Sequence, residues 1–219
     1  MAKLAAYQVY MPKLKYHTKS LKLIGCEPKF SGETHPELPA SVADWYSLAN
    51  GVELLKQYSN VDFPLLPSEF RTYSYEDKEL MVFMYDNAGI VWYAFEKHDD
   101  DPPIYVNLEP PPDNWVYDSE SFSTFVYIWF FDNLHHVKKD LFIRKNGKPL
   151  SKNTLEVLLN VFISEPVSHV GNGPVVYRFS FDDQRISVFD YEGISSQWLF
   201  TADTQTSLNK VYEKFEHLF

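Results

Sequence analysis

The sequence predicts an α+β fold, an antiparallel sheet with flanking helices followed by a C-terminal sheet-and-helix extension. Three observations carry this. Residues 38–51 place Val42, Trp45, Tyr46 and Ala49 on one helical face. Residues 80–85 and 90–95 are apolar runs separated by Asp86-Asn87-Ala88-Gly89, a hairpin turn by its chemistry, because Asn and Gly tolerate positive φ. Three further runs, 175–181, 185–191 and 197–202, alternate like the strands of a meander, and residues 207–215 close the chain as an amphipathic helix.

Taken in order, the first 35 residues lack firm periodicity and read as a strand-and-loop lead-in. Pro39 suits the first position of the helix over 38–51, and Asn50-Gly51 suits a left-handed C-terminal cap. Residues 101–106 open a strand whose first positions are Pro102 and Pro103, which places it at a sheet edge where a missing donor costs nothing. Residues 110–113, Pro-Pro-Pro-Asp, form a second stiff stretch; each reads as an elbow or as a proline-rich ligand. Phe122, Phe125, Val126, Trp129 and Phe130 then recur at helical spacing, with the helix starting near Ser119. Beyond Asp132 the composition turns basic, with Lys138, Lys139, Arg144, Lys145 and Lys148 against Asp140. Residues 134–219 are therefore read as a packed α+β extension, or as part of the same domain as what precedes them. In the extension, 155–161 reads as helical and Asp182-Asp183 as a hairpin turn.

At 219 residues the chain is long enough for one well-buried core, and 45% hydrophobic with 23% charged residues is globular composition. Aromatics reach 17%, so rings are expected to build much of that core. The formal charge of −10 repels phosphate backbones and argues against nucleic acid. It serves solubility, or it gives an acidic face to a basic partner. The lone cysteine, Cys26, leaves no disulfide framework within the chain and fits a reducing compartment. No run approaches the ~18 apolar residues of a membrane span, and the first residues lack a signal-peptide pattern, so the cytoplasm is expected.

Three features in register resemble one family: a Leu38-Pro39 helix ending in Asn50-Gly51, a strand running into Asp86-Asn87-Ala88-Gly89 and on to Trp92, and then Asp101-Pro102-Pro103-Ile104-Tyr105-Val106. Their order and spacing look like the SUKH superfamily (the Smi/Knr group), over roughly residues 20–133. Ala88 stands where that family often has a larger polar residue, and the C-terminal extension lies outside the match. The resemblance implies an α+β fold that holds protein partners. Many bacterial members are immunity proteins that neutralise a toxin by binding it, and a fungal branch regulates cell-wall synthesis and signalling through protein contacts. It carries over no catalytic residue.

Chemistry-bearing patterns are sparse. The chain has no G-x-S-x-G, H-E-x-x-H, Walker loop or Cys-x-x-Cys. Gly171-Asn172-Gly173-Pro174 reads as a turn. His135 and His136, adjacent on a helix, point about 100° apart and rarely share one metal ion, so neither metal nor cofactor is expected. Neighbouring Asp residues do not meet the ~5–9 Å carboxylate separation of a glycosidase. The partner-binding candidates are Trp92 and Trp115, because Trp is enriched at interface hot spots, and Asp99, Asp100 and Asp101, because an acidic loop suits a basic toxin. The expected activity is non-enzymatic protein binding of the immunity type. The alternative is an intracellular regulatory scaffold of the cell-wall or signalling type, with an unrecognised enzyme as the third class.

Overall fold

Short helices come first, ahead of any sheet, in the computed structural model, which describes residues 14–59, 61–109, 114–169 and 173–219. Helix α1 (Thr18–Ile24) lies where a strand-and-loop lead-in was expected; its single buried apolar position, Leu21, is too little for a helical period to show. Gly25 ends it at φ 65°, a left-handed cap. The helix expected over 38–51 is two: α2 (Ala40–Tyr46), with Pro39 as its N-cap, and α3 (Gly51–Gln57). Asn50-Gly51 is thus no C-terminal cap, since Asn50 has φ −130° and Gly51 opens the next helix. Glycine is required there for space: a Cβ would stand 2.6 Å from the Trp45 carbonyl oxygen.

The first sheet comprises β1 (Asp62–Pro64), β2 (Arg71–Tyr75), β3 (Lys78–Asp86), β4 (Trp92–Glu96), β5 (Ile104–Asn107) and β6 (Trp115–Ser119), all paired antiparallel. The order is β1-β3-β4-β5-β6, with β2 beside β1 along the same margin of β3. Strand β5 is interior, not an edge. Pro102 and Pro103 precede it, and the Pro103 carbonyl still accepts from the Glu96 amide at 3.2 Å, so the ladder loses nothing to them. The second sheet comprises β7 (Phe142–Gly147), β8 (Ile163–Ser164), β9 (Ser168–His169), β10 (Val175–Phe181), β11 (Gln184–Tyr191) and β12 (Ser195–Ala202), in the order β7-β12-β11-β10, with β8 and β9 both on β10. The expected meander is present, turning at Asp182 (φ 52°), and β7 falls inside the basic stretch. Residues 110–113 and 171–172, the proline run and most of the Gly-Asn-Gly turn, lie outside the described residues. The chain has the α+β class, six helices and two antiparallel sheets among its described residues.

Helix α4 (Phe122–Val137) joins the two halves. It starts at Ser121, whose hydroxyl accepts from the Thr124 amide at 3.1 Å, because Ser119 is the last residue of β6. Phe122, Phe125, Val126, Phe130 and Leu134 pack with Phe83, Phe95 and Ile104 of the first sheet and with α1–α3. Tyr127, Ile128 and Phe131 form a separate buried group on the helix. Beside them Asp132 takes Arg178 Nε at 2.8 Å and Nη2 at 2.5 Å, and the Ser187 hydroxyl at 2.9 Å, all from the second sheet. Arg178 is 2% exposed and also donates to the Pro166 carbonyl and Ser168 Oγ, each at 2.9 Å. A second tie runs from Lys19 of α1 to Glu165 at 2.6 Å, and Glu165 also accepts from Ser180. A helix buried on both sides reads as apolar all round, which is what residues 122–131 do. It also passes the 133/134 boundary drawn from composition. The other face of the second sheet packs on α5 (Lys152–Val161) and α6 (Gln205–Phe215) through Phe179, Ile186, Val188, Trp198 and Phe200.

Candidate functional site

The first sheet has two apolar faces, and helices cover one. Phe83, Phe95 and Ile104 point into the helical core, while Leu80, Val82, Ala94 and Trp115 form a second buried cluster on the opposite face. Over that cluster lie Leu65, Tyr73, Tyr75, Trp92 and Tyr105, partly exposed; no helix residue belongs to it among the described residues. The strand period of two explains the row, since Tyr73 and Tyr75, Leu80 and Val82, Trp92 and Ala94 are each two apart. Tyr117, 50% exposed, packs edge-on against Tyr105 at 6.1 Å. Tyr73 packs on both indoles, at 5.6 Å from Trp92 and 6.3 Å from Trp115.

At one end of this face a pocket of about 400 Å³ opens beside Trp92, between the turn after β3 and the segment entering β2. The expected hairpin turn fixes its wall. Asp86 Oδ1 accepts the amides of Ile90 (2.7 Å) and Val91 (3.0 Å), Gly89 takes φ 66°, and the Gly89 carbonyl accepts the Trp92 indole N–H at 2.7 Å. Leu65, Val82 and Tyr85 complete the apolar lining, and Glu69 and Arg71 stand at its margin. Glu69 is occupied by the Leu66 amide at 2.8 Å. Arg71 is exposed and makes no hydrogen bond or ion pair among the described residues. At the far end, Glu96 accepts from the Tyr105 phenol at 3.2 Å and lies 3.9 Å from Lys78. Burial first, and then the Glu96 carboxylate, push the Tyr105 phenol up to about 12, so it stays a neutral donor.

The five candidates divide. Trp92 and Trp115 both align with Asn107 and share one end of the sheet, but Trp115 is 4% exposed and supports the face from beneath Tyr73. The reachable ring on that strand is Tyr117. Asp99, Asp100 and Asp101 follow the other end of β4, about 13 Å or more away along the strand. Asp99 and Asp100 are exposed there; the Asp100 carbonyl accepts from the Ser41 amide of α2 at 2.8 Å, while Lys97 N–H donates to the Glu79 carbonyl at 3.1 Å. Asp101 is engaged: its carboxylate accepts the Ser123 amide at 2.9 Å and the Ser123 hydroxyl at 2.5 Å, holding the first turn of α4. The residues that sequence reasoning missed are Arg71, Tyr73, Tyr75, Tyr105 and Tyr117, although the alternation Arg71-Thr-Tyr-Ser-Tyr75 carries a strand signal.

The His135 and His136 rings are tilted 36° to one another with centroids 4.1 Å apart, and burial lowers the pKa of both. Among the described residues no group of three or more His, Cys, Asp and Glu side chains is arranged to hold a metal. No described helix is long and apolar enough to cross a membrane. No protein-family model matches the chain, and no curated protein or solved structure matches it.

Proposed function

We propose that the chain is a non-enzymatic, cytoplasmic protein-binding module of the SUKH type, an immunity protein that neutralises a toxin by binding it across the outer face of the first sheet. One observation carries the reading: a row of tyrosines with Trp92, laid over Leu80, Val82, Ala94 and Trp115, has no helix over it among the described residues. An antiparallel sheet with one face on the core ordinarily turns polar residues to water on the other, and contiguous exposed apolar surface marks interaction sites. Tyr and Trp are also the residues in which binding energy concentrates. The order of the Leu38-Pro39, Asp86-x-x-Gly89 and Asp101-Pro102-Pro103 features supports the family reading. The exposed Glu76 and Asp77, and Asp99 and Asp100 after β4, suit a basic stretch of the partner, and the charge of −10 does not suit nucleic acid.

The test is to co-express the chain with the product of the reading frame directly upstream of its gene, and to titrate the two by calorimetry. Relief of that product's toxicity by wild-type chain is expected. Tyr117→Ala should weaken the complex by about 2 kcal/mol, roughly thirty-fold, at unchanged Tm. Ile194→Ala, 81% exposed on the other sheet, should leave it unchanged. Affinity indifferent to Tyr117→Ala and Trp92→Ala would remove the face from the proposal. A non-toxic product bound through the same face would favour the regulatory scaffold.

A further inference from the structure

We infer that the pocket beside Trp92 takes the C-terminal residue of a partner chain, its apolar side chain against Leu65, Val82 and Trp92 and its main-chain carboxylate on Arg71. The inference rests on the reading of this face as a protein-binding surface and names what part of the partner enters it. The base of the pocket is apolar; of the polar groups around it, the indole N–H donates to the Gly89 carbonyl and Glu69 Oε2 accepts from the Leu66 amide. Arg71 is the cation of the lining, a guanidinium on the pocket margin with no partner among the described residues. Five donors in a planar fork match a carboxylate in two parallel hydrogen bonds.

Register decides between a terminal and a side-chain carboxylate. Arg71 pairs directly with Val82, and opposite residues on one face stand about 5 Å apart at Cβ. The apolar contact and the charge contact are therefore within reach of a single residue. In an extended segment, an Asp or Glu next to the apolar residue points to the opposite side. A C-terminal residue carries its own α-carboxylate and presents both groups at the closest spacing, whereas the nearest side-chain carboxylate on the same side stands two residues on, about 7 Å away. The acidic corner of Glu76 and Asp77 lies beyond Tyr75, about 13 Å along β2 from Arg71, while nearer the pocket Glu69 is held by the Leu66 amide and Asp86 by the amides of Ile90 and Val91.

The probes are three acetylated hexapeptides of Gly and Ser: one ending in Phe with a free carboxylate, one ending in Phe amide, and one with Phe two positions before a free C-terminus. Binding is read from the indole N–H resonance of Trp92 in ¹⁵N-labelled full-length chain, assigned with Trp92→Phe. The free-acid Phe peptide is expected to shift that resonance saturably, at least ten-fold more tightly than the other two. Arg71→Gln, at an exposed position, should abolish the difference, and Arg71→Lys should restore part of it. Equal binding of acid and amide, or no shift of the Trp92 indole by the acid peptide, would overturn the inference. The face as a protein-binding surface fails on a separate result, a complex indifferent to both Tyr117→Ala and Trp92→Ala, so the two failures are distinguishable.

Discussion

Asp132→Asn should be among the most damaging single substitutions in the chain, although it removes no more than a charge. Arg178 is 2% exposed, and its Nε and Nη2 meet both oxygens of Asp132. The amide keeps one acceptor and turns an NH2 group toward a guanidinium that only donates. Pro166 and Ser168 still accept from Arg178, but neither carries a charge to offset it. Breaking one side of a buried pair costs about 3–5 kcal/mol. For a chain of this length that is a fall in Tm of roughly 10 °C. Urea unfolding followed by far-UV circular dichroism, at constant m, measures it. Replacing both partners by apolar residues, as in Asp132→Leu with Arg178→Met, should recover much of the loss, because neither of the two charges is left without the other, although Asp118 loses its cation and the Ser187 hydroxyl its acceptor. A single variant within about 1 kcal/mol of wild type, or a double variant as weak as the sum of the singles, would refute the reasoning.

Two further outcomes follow from the core. His17 is fully buried against Trp45 and Phe122, with Nε2 donating to the Ser41 carbonyl at 2.7 Å and Nδ1 unpartnered among the described residues; burial lowers its pKa despite Asp44 and Asp101. Because the folded value lies below the unfolded ~6.5, its contribution is complete above that pH and is lost as pH falls below it, by up to about 1.4 kcal/mol per unit. His17→Leu should flatten the stability profile between pH 6.5 and 5, and an unchanged slope would remove His17 as its source. At Gly51, Ala and Asn should cost alike, about 1–3 kcal/mol, since any Cβ meets the Trp45 carbonyl, whereas Gly89→Asn, in open space at φ 66°, should be mild. Asn as well tolerated as Gly at position 51 in urea titrations would restore the C-cap reading.

What the sequence showed and hid follows from how far each signal reaches. The strands at 80–85 and 175–202 and the closing helix are long enough for their periods to appear, and all are present. Helix α1 spans 7 residues and β6 spans 5, too short for a pattern to stand out, and Arg144 and Lys145 disguise β7. In the candidate site, Trp92 was legible by its residue type, since Trp is enriched at interface hot spots. Asp99 and Asp101 look alike in the sequence, but Ser123, 22 residues on from Asp101, captures one and leaves the other in water. Trp115 and Tyr117 are likewise equivalent by alternation, and only the placement of Tyr73 over the first separates them. That Arg71 has no counter-ion among the described residues is a property of the assembled surface, which no local pattern records.

The tyrosines of the outer face bear on why such a surface is tolerable before anything covers it. A phenylalanine row would expose apolar area with nothing to hold water. Tyr73, Tyr75 and Tyr117 keep ring area for a partner and a hydroxyl for solvent, Tyr105 gives its hydroxyl to Glu96, and two side-chain torsions per ring cost little entropy to fix. Their support is stiff. Leu80, Val82 and Ala94 beneath them alternate along β3 and β4 with Met81, Phe83, Tyr93 and Phe95, which pack against the helices on the far side. Displacing the face therefore means displacing the core, and the core in turn bears on α4, fastened to the second sheet by Asp132 and Arg178. A rigid aromatic surface loses little on binding. Loosening it through Asp132→Asn should accordingly weaken any complex at this face without touching a contact residue.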